Sequence, residues 1–404
     1  MKKTLAIFAV LAAAISSLAA DPSISGVSIT QLSNRLVQVS YTLSDARAIV
    51  TPVFKLDGTP LDMASVVSLA GDVRRIVAPG DRRFIWNPKN DWTGAEIDTA
   101  RLTVELTAWR PDSPPPKVVI DLDPMTESNT SNILYYVSEA ELPGGVGDKR
   151  YRTRKLLMSL VPAKNVRWRM GDGSSAKSKY VTLTKDFYMG AFPFTIGQGE
   201  TALGTRGGEN TDKVDALLLP MTASGQHIRN AQGANPPASG SYLDKLRSQT
   251  GVALDLPSEF QWEYAARGGI ETMTDALALS YGWWGKSSSA GTWGACGSSR
   301  GLCNRDYPHP VGLKTKNPFG IYDILGDCTE CTRTAWVNPV DTTEETDPEG
   351  PAGSSNSYTM RSSKHGSSSD ASVQQFYTRA SQWFNAENDN KGFRLILPVE
   401  PEAN

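Results

Sequence analysis

Between residues 26 and 110, apolar and polar positions alternate with a period of two. The stretch RLVQVSYTL sets Val37, Val39, Tyr41 and Leu43 on one face, and RLTVELTAW does the same with Leu102, Val104, Leu106 and Ala108, as half-buried strands require. FKLDGTPL and APGDRRFIWNP lie between them and carry turn signals at hairpin spacing. Residues 21–110 thus predict a small β-sandwich of immunoglobulin or fibronectin type. The pattern stops at WRPDSPPPK, residues 109–117. Three consecutive prolines favour a stiff extended connector, so residues 111–149 read as a Pro-rich linker and lead-in.

Beyond residue 150 the apolar runs shorten, tryptophans become frequent and long Gly/Ser/Asn stretches intervene, notably GTRGGENTDK and SSSAGTWGACGSSRGLCN. Two helices are expected. One lies within residues 239–251, with Ser or Gly as N-cap and Gly251 as its stop; the other starts at Ser258 with acids in its first turn and ends at Gly268. A domain with so much loop needs disulfides or bound calcium as well as burial to order it.

The chain opens on two lysines, an apolar run from Leu5 to Ile15 and small residues at Ser17, Ala19 and Ala20. That is the layout of a secretory signal peptide over residues 1–20, too short in its apolar part to anchor in a bilayer. The expected location is secreted or periplasmic, and no later segment reads as membrane-spanning. At 404 residues the chain can form two or three domains, and a net charge of -2 gives no footprint for nucleic acid or anionic membrane. Export favours pairing of the four cysteines, Cys296, Cys303, Cys328 and Cys331. Cys296–Cys303 and Cys328–Cys331 are the expected disulfides, with cross-pairing open.

GDCTEC, residues 326–331, is the densest cluster of candidate chemistry. A thioredoxin-like redox pair needs a helix after it, which Thr332, Thr334 and the following Trp-Val-Asn-Pro do not offer. Zinc on four thiolates and a plain solvated acidic turn both remain open on residue types alone.

DLPSEFQWEYAARGG (255–269), NPFGIYDILGDCTECTRTAW (317–336), NDNKGFRLIL (388–397) and, more loosely, FYMGAFPFTIGQ (187–198) resemble, in order, four signatures of the formylglycine-generating enzyme, or sulfatase-modifying factor, family. The resemblance covers residues 150–400. It implies an α+β, C-type lectin-like fold after the sandwich, and a calcium ion held by the Asp323 and Glu330 side chains with the carbonyls of Gly326 and Cys328. Hard oxygens and a turn-permitting glycine suit that ion.

The family's oxidase chemistry uses copper(I) on two cysteines between an "RGGSw" motif and the terminal "GFR". Here residues 360–394 contain no cysteine, and the motif has become Arg361-Ser-Ser-Lys-His365. Copper(I) needs soft thiolates, so no copper is expected and the resemblance transmits the fold without the activity. His227, His309 and His365 form no catalytic pattern with their sequence neighbours; His309 reads as a loop residue, and His365 with Asp370 and nearby serines is a composition-driven grouping.

The segment 367–390, which resembles the variable C-terminal segment of diversified ligand-binding proteins, offers Gln374, Tyr377, Trp383 and Asn385 for recognition. Phe376 and Trp383 could equally be core. The function expected is an exported, non-catalytic protein that binds an extracellular or envelope glycan or protein; the alternative is a family enzyme with altered oxidoreductase chemistry.

Overall fold

The computed structural model describes residues 21–32, 35–92, 97–123, 132–205, 216–221, 223, 225–270, 272, 274–283, 309–338, 341–350, 357–362, 375–383 and 391–400. The proposed leader, Cys296, Cys303, His365, Asp370, Gln374 and Asn385 lie outside these residues.

The first unit consists of β1 (Ser23–Gln31), β2 (Val37–Ser44), β3 (Ala48–Leu56), β4 (Thr59–Pro60), β5 (Leu69–Gly71), β6 (Ile76–Val77), β7 (Gly80–Trp86) and β8 (Leu102–Trp109). They form two antiparallel groups, β1-β2-β7-β5 and β4-β3-β6 with β8 also on β3. Val37, Val39, Tyr41 and Leu43 are all buried, as their alternation demands, and join Phe54, Phe84 and Trp86 in one core. Asp57 and Gly58 both take positive φ between β3 and β4, the turn that Asp-Gly favours because it matches strand twist. On β8 only Leu102 is fully buried; Val104, Leu106 and Ala108 pack at the margin.

The segment read as linker contains two strands. β9 (Lys117–Asp121) and β10 (Ile133–Tyr136) belong to the five-stranded order β10-β9-β11-β14-β22, with β11 (Lys155–Val161), β14 (Phe187–Gly190) and β22 (Ile396–Pro398). Val118, Val119 and Ile120 are all buried, so no alternation marks the strand. The prolines are tied down as well: Tyr188 Oη donates to the Pro115 carbonyl (2.6 Å) and Leu160 N to that of Pro116 (2.9 Å).

Three smaller sheets complete the domain. β12 (Val166–Gly171) and β13 (Ser178–Leu183) form a hairpin extended by β18 (Glu345–Thr346); β15 (Gly282–Trp283) pairs with β16 (Leu325–Gly326). The last is β20-β19-β17-β21, from β17 (Thr329–Ala335), β19 (Ser357–Arg361), β20 (Arg379–Trp383) and β21 (Lys391–Phe393).

Both expected helices form. Tyr242–Thr250 is capped by Ser241 and stopped by Gly251, and Glu259–Arg267 by Ser258 and Gly268, the two glycines being left-handed. Two further helices of seven residues or more, Ile196–Leu203 and Asp275–Tyr281, were not expected. The first contains Gly197 and Gly199, poor helix formers. A Cβ on Gly197 would sit 2.8 Å from the Leu217 carbonyl, so packing demands what propensity disfavours. The Thr195–Gln198 capping box and left-handed Gly204 fix its ends instead.

Candidate functional site

The Asp323–Glu330 segment is largely buried, and Asp323 and Glu330, two of its three acids, end on different donors. Asp323 accepts from the backbone N–H groups of Gly312 and Lys314 (3.1 Å) and lies 3.4 Å from Trp283 Nε1. Burial, chiefly, pushes its carboxyl up to about 6. Glu330 accepts from Arg394 Nε (2.8 Å) and Trp262 Nε1 (2.6 Å). Arg394 also donates to the carbonyls of Gly190, Ala191, Tyr322 and Asp323. The Gly326 carbonyl accepts from Cys328 N–H (2.7 Å).

As placed, these donors do not fit calcium. Both oxygens of Glu330 face N–H groups, and the cation that Glu330 meets is a guanidinium already bonded to four carbonyls. An ion here would have to displace it. We expect a calcium chelator to leave the melting temperature unchanged within about 1 °C. A drop of several degrees, restored by calcium and absent in Asp323→Ala, would instead show that the ion outcompetes Arg394.

His309, read as a loop residue, lies outside helix and strand and is buried. Its ring stacks on Trp283 at 3.9 Å and 7°, its backbone N–H donates to Asp327 Oδ1 (2.6 Å), and its Nδ1 lies 3.1 Å from the same oxygen. The stacked pair thus reaches two of the segment's acids, Asp323 through Trp283 and Asp327 through His309.

A cleft of about 900 Å³ opens between β12, the C-terminal end of the Glu259–Arg267 helix and the 375–377 turn. Trp168, Tyr180, Tyr264 and Tyr377 give it aromatic walls, and Arg167, Arg169 and Arg267 line it with guanidinium groups. Its base rests on buried ion pairs. Glu263 Oε1 accepts from Gly171 N (2.9 Å) and from Arg267 Nε (2.9 Å) and Nη2 (2.6 Å), while Oε2 accepts from Arg361. Arg361 also donates to the Phe376 carbonyl (2.7 Å), and Arg379 makes a two-point pair with Glu259 (2.6 and 2.9 Å).

Of the expected recognition residues, Tyr377 lines this cleft. Phe376 is core at 1% exposure, whereas Trp383 is 67% exposed at the end of β20 and is not part of the cleft lining. The residues 167–169 and 264–267 were missed. Their signal was present: Glu259, Glu263 and Arg267 recur at helical four-residue spacing, and RWRMG alternates as an exposed strand does.

Residues 148–399 match the sulfatase-modifying factor enzyme 1-like domain. The chain belongs to that family. Solved structures similar to it include Treponema denticola variable protein 1 (17% identity, TM-score 0.45, 60% of this chain and 95% of that one) and PvdO from Pseudomonas aeruginosa (18%, 0.43, 60% and 95%). CarF also matches (14%, 0.34, 60% and 99%). No curated protein matches the chain.

Within the sulfatase-modifying factor domain the two described cysteines are free and buried. The expected Cys328–Cys331 bond is not formed. Three residues of extended chain span about 10 Å at 3.3 Å per residue, beyond the ~7 Å that a disulfide tolerates. Cys328 Sγ packs against Gly392, and Cys331 Sγ points at the Thr332 carbonyl (3.6 Å). Burial pushes the Cys328 thiol well above its ordinary range and that of Cys331 up to about 12, so neither offers the thiolate that metal binding or nucleophilic attack needs. Among the described residues no three His, Cys, Asp or Glu side chains gather as a metal-holding group, and no helix is long and apolar enough to cross a membrane.

Proposed function

We propose that this chain is an exported, non-catalytic binding protein that uses the sulfatase-modifying factor scaffold to recognise a glycan or protein ligand outside the cytoplasm. One observation carries the reading: the cleft of about 900 Å³ is walled by aromatic rings and guanidinium groups held on strand β12 and a buried ion-pair network. Rigid aromatic faces and forked donors provide contact area and hydrogen bonds at small entropic cost.

Glycan and peptide arrays probed with the full chain test this directly. Binding that falls at least tenfold in both Tyr377→Ala and Trp168→Ala, with melting temperatures held, is the expected result. Binding indifferent to both substitutions would place recognition elsewhere and overturn the reading.

The altered-enzyme alternative makes the opposite prediction. Copper(I) requires two accessible thiolates; residues 360–394 supply none, and Cys328 and Cys331 are buried thiols. Incubation with copper(I), oxygen and a Cys-x-Pro-x-Arg peptide should therefore give no aldehyde by mass spectrometry. Copper-dependent aldehyde formation would restore the enzyme.

A further inference from the structure

The cleft runs beside β12, the outer strand of the β12-β13-β18 sheet, and among the described residues no strand pairs with its far side. The register shows which of its backbone groups turn that way. Thr182, opposite Arg167, gives its carbonyl to Asp347 N (2.8 Å) on the β18 side and so does not bond to β12. At the other end, Gly171 donates its N–H to Glu263 Oε1 (2.9 Å), and its carbonyl accepts from Arg267 Nη2 (2.6 Å). Inward and outward residues alternate along an antiparallel ladder. Arg167, Arg169 and Gly171 are therefore the outward three. Glu263 and Arg267 already stand to Gly171 as a neighbouring strand would, whereas Arg167 and Arg169 each keep an N–H and a carbonyl directed away from β13.

Charge narrows the occupant. Arg167 is paired with Glu344 (2.7 and 3.0 Å) and stacked on Tyr180 at 3.6 Å, and Arg267 is paired with Glu263. Among the described residues, the guanidinium of Arg169 meets only the neutral carbonyl of Gly173. Asp172, the acid of the lining, is turned onto Ser174 N (2.8 Å) and Ser178 Oγ (3.4 Å). Arg169 is thus, among the described residues, a cation without a counter-charge on an exposed strand edge.

We propose that the cleft takes an extended peptide segment, which adds to β12 as a further strand through the backbone groups of Arg167 and Arg169 and sets an acidic side chain against Arg169. Main-chain pairing of this kind supplies affinity, and side-chain pockets supply choice. Trp168, whose buried indole N–H has no partner among the described residues, and Tyr377 provide the adjoining walls. The inference rests on the cleft being a binding site and narrows its ligand to a protein segment.

The test is selection of a random dodecapeptide phage library on the full chain, with a glycan array probed in parallel. Enriched peptides should carry Asp or Glu. Synthetic copies should lose binding at least tenfold when alternate amides along one edge are N-methylated, and tolerate methylation along the other. Amide hydrogen exchange at Arg167 and Arg169 should slow in the complex, and Arg169→Glu, an exposed substitution, should shift the preference towards Lys or Arg. Absence of enrichment, or binding that leaves both amides unprotected, would overturn the proposal. If glycans bind in a Tyr377-dependent way while peptides do not, the strand-addition inference falls and the binding function stands; if neither class binds, both fall.

Discussion

Replacing Arg394 with methionine should destabilise the folded protein by about 3–5 kcal/mol, the range for removing one partner of a buried ion pair. Both partners are essentially inaccessible, at 0% for Arg394 and 1% for Glu330. The guanidinium also joins two chain crossings, Gly190–Ala191 and Tyr322–Asp323, through their carbonyls. Methionine fills much of the volume but leaves a carboxylate and four acceptors without that donor. The loss should depend on pH in a defined sense. Burial already raises the Glu330 carboxyl above its ordinary value, and Arg394 opposes that; without Arg394 the folded-state value rises further. A carboxyl raised on folding binds its proton more tightly in the native state, so stability is retained at and below its unfolded value near 4.5 and falls as pH rises through the folded value. Urea unfolding should therefore show a larger deficit at pH 7.5 than at pH 4.5. The double variant Arg394→Met, Glu330→Leu should recover part of it. A deficit below 1 kcal/mol at pH 7.5 would mean that the pair is not the bond holding these crossings together.

The reason Arg394 was not legible beforehand is physical. A terminal Gly-Phe-Arg identifies the end of a signature, but nothing local says that its guanidinium reaches Glu330, 64 residues away in sequence. The resemblance implies an oxygen cage at Asp323 and Glu330, and residue types alone do not show where the surrounding donors point. Local signals did better. Ser241, Gly251, Ser258 and Gly268 bound their helices as read because capping is settled within a turn of chain, and the Asp57-Gly58 turn and the β2 alternation were equally self-contained. β9 was hidden for the opposite reason: buried on both faces, it lacks alternation, and the prolines before it suggested a connector. The cleft was half legible. Tyr377 was named from its sequence neighbourhood, but the strand and helix facing it come from more than 100 residues earlier in the sequence, and only the tertiary fold brings them together.

Glu263→Ala should be costly in a second way, by about 3–5 kcal/mol and with loss of ligand binding. This carboxylate is fully buried and accepts from three elements: Gly171 of β12, Arg267 of its own helix and Arg361 of β19. Burial chiefly, with the like charge of Arg379, pulls the Arg361 guanidinium down from its ordinary value, and Glu263 is the first of the charges that hold it up, followed by Glu259. Truncation would strand Arg361 with Glu259 at 3.7 Å as its remaining counter-charge, beside Arg379 of the same sign. Arg361 also carries the Phe376 carbonyl, so the turn bearing Tyr377 loses its anchor together with the end of β12. Glu263→Gln separates charge from shape. It keeps the volume but replaces one accepting oxygen with a donor that faces an N–H or a guanidinium, so it should retain the fold at a cost of about 1.5–3 kcal/mol while weakening binding at least tenfold. Equal affinity in wild type and a folded Glu263→Gln, measured by calorimetry with a peptide selected on the wild type, would show that the network supports the domain without shaping the cleft.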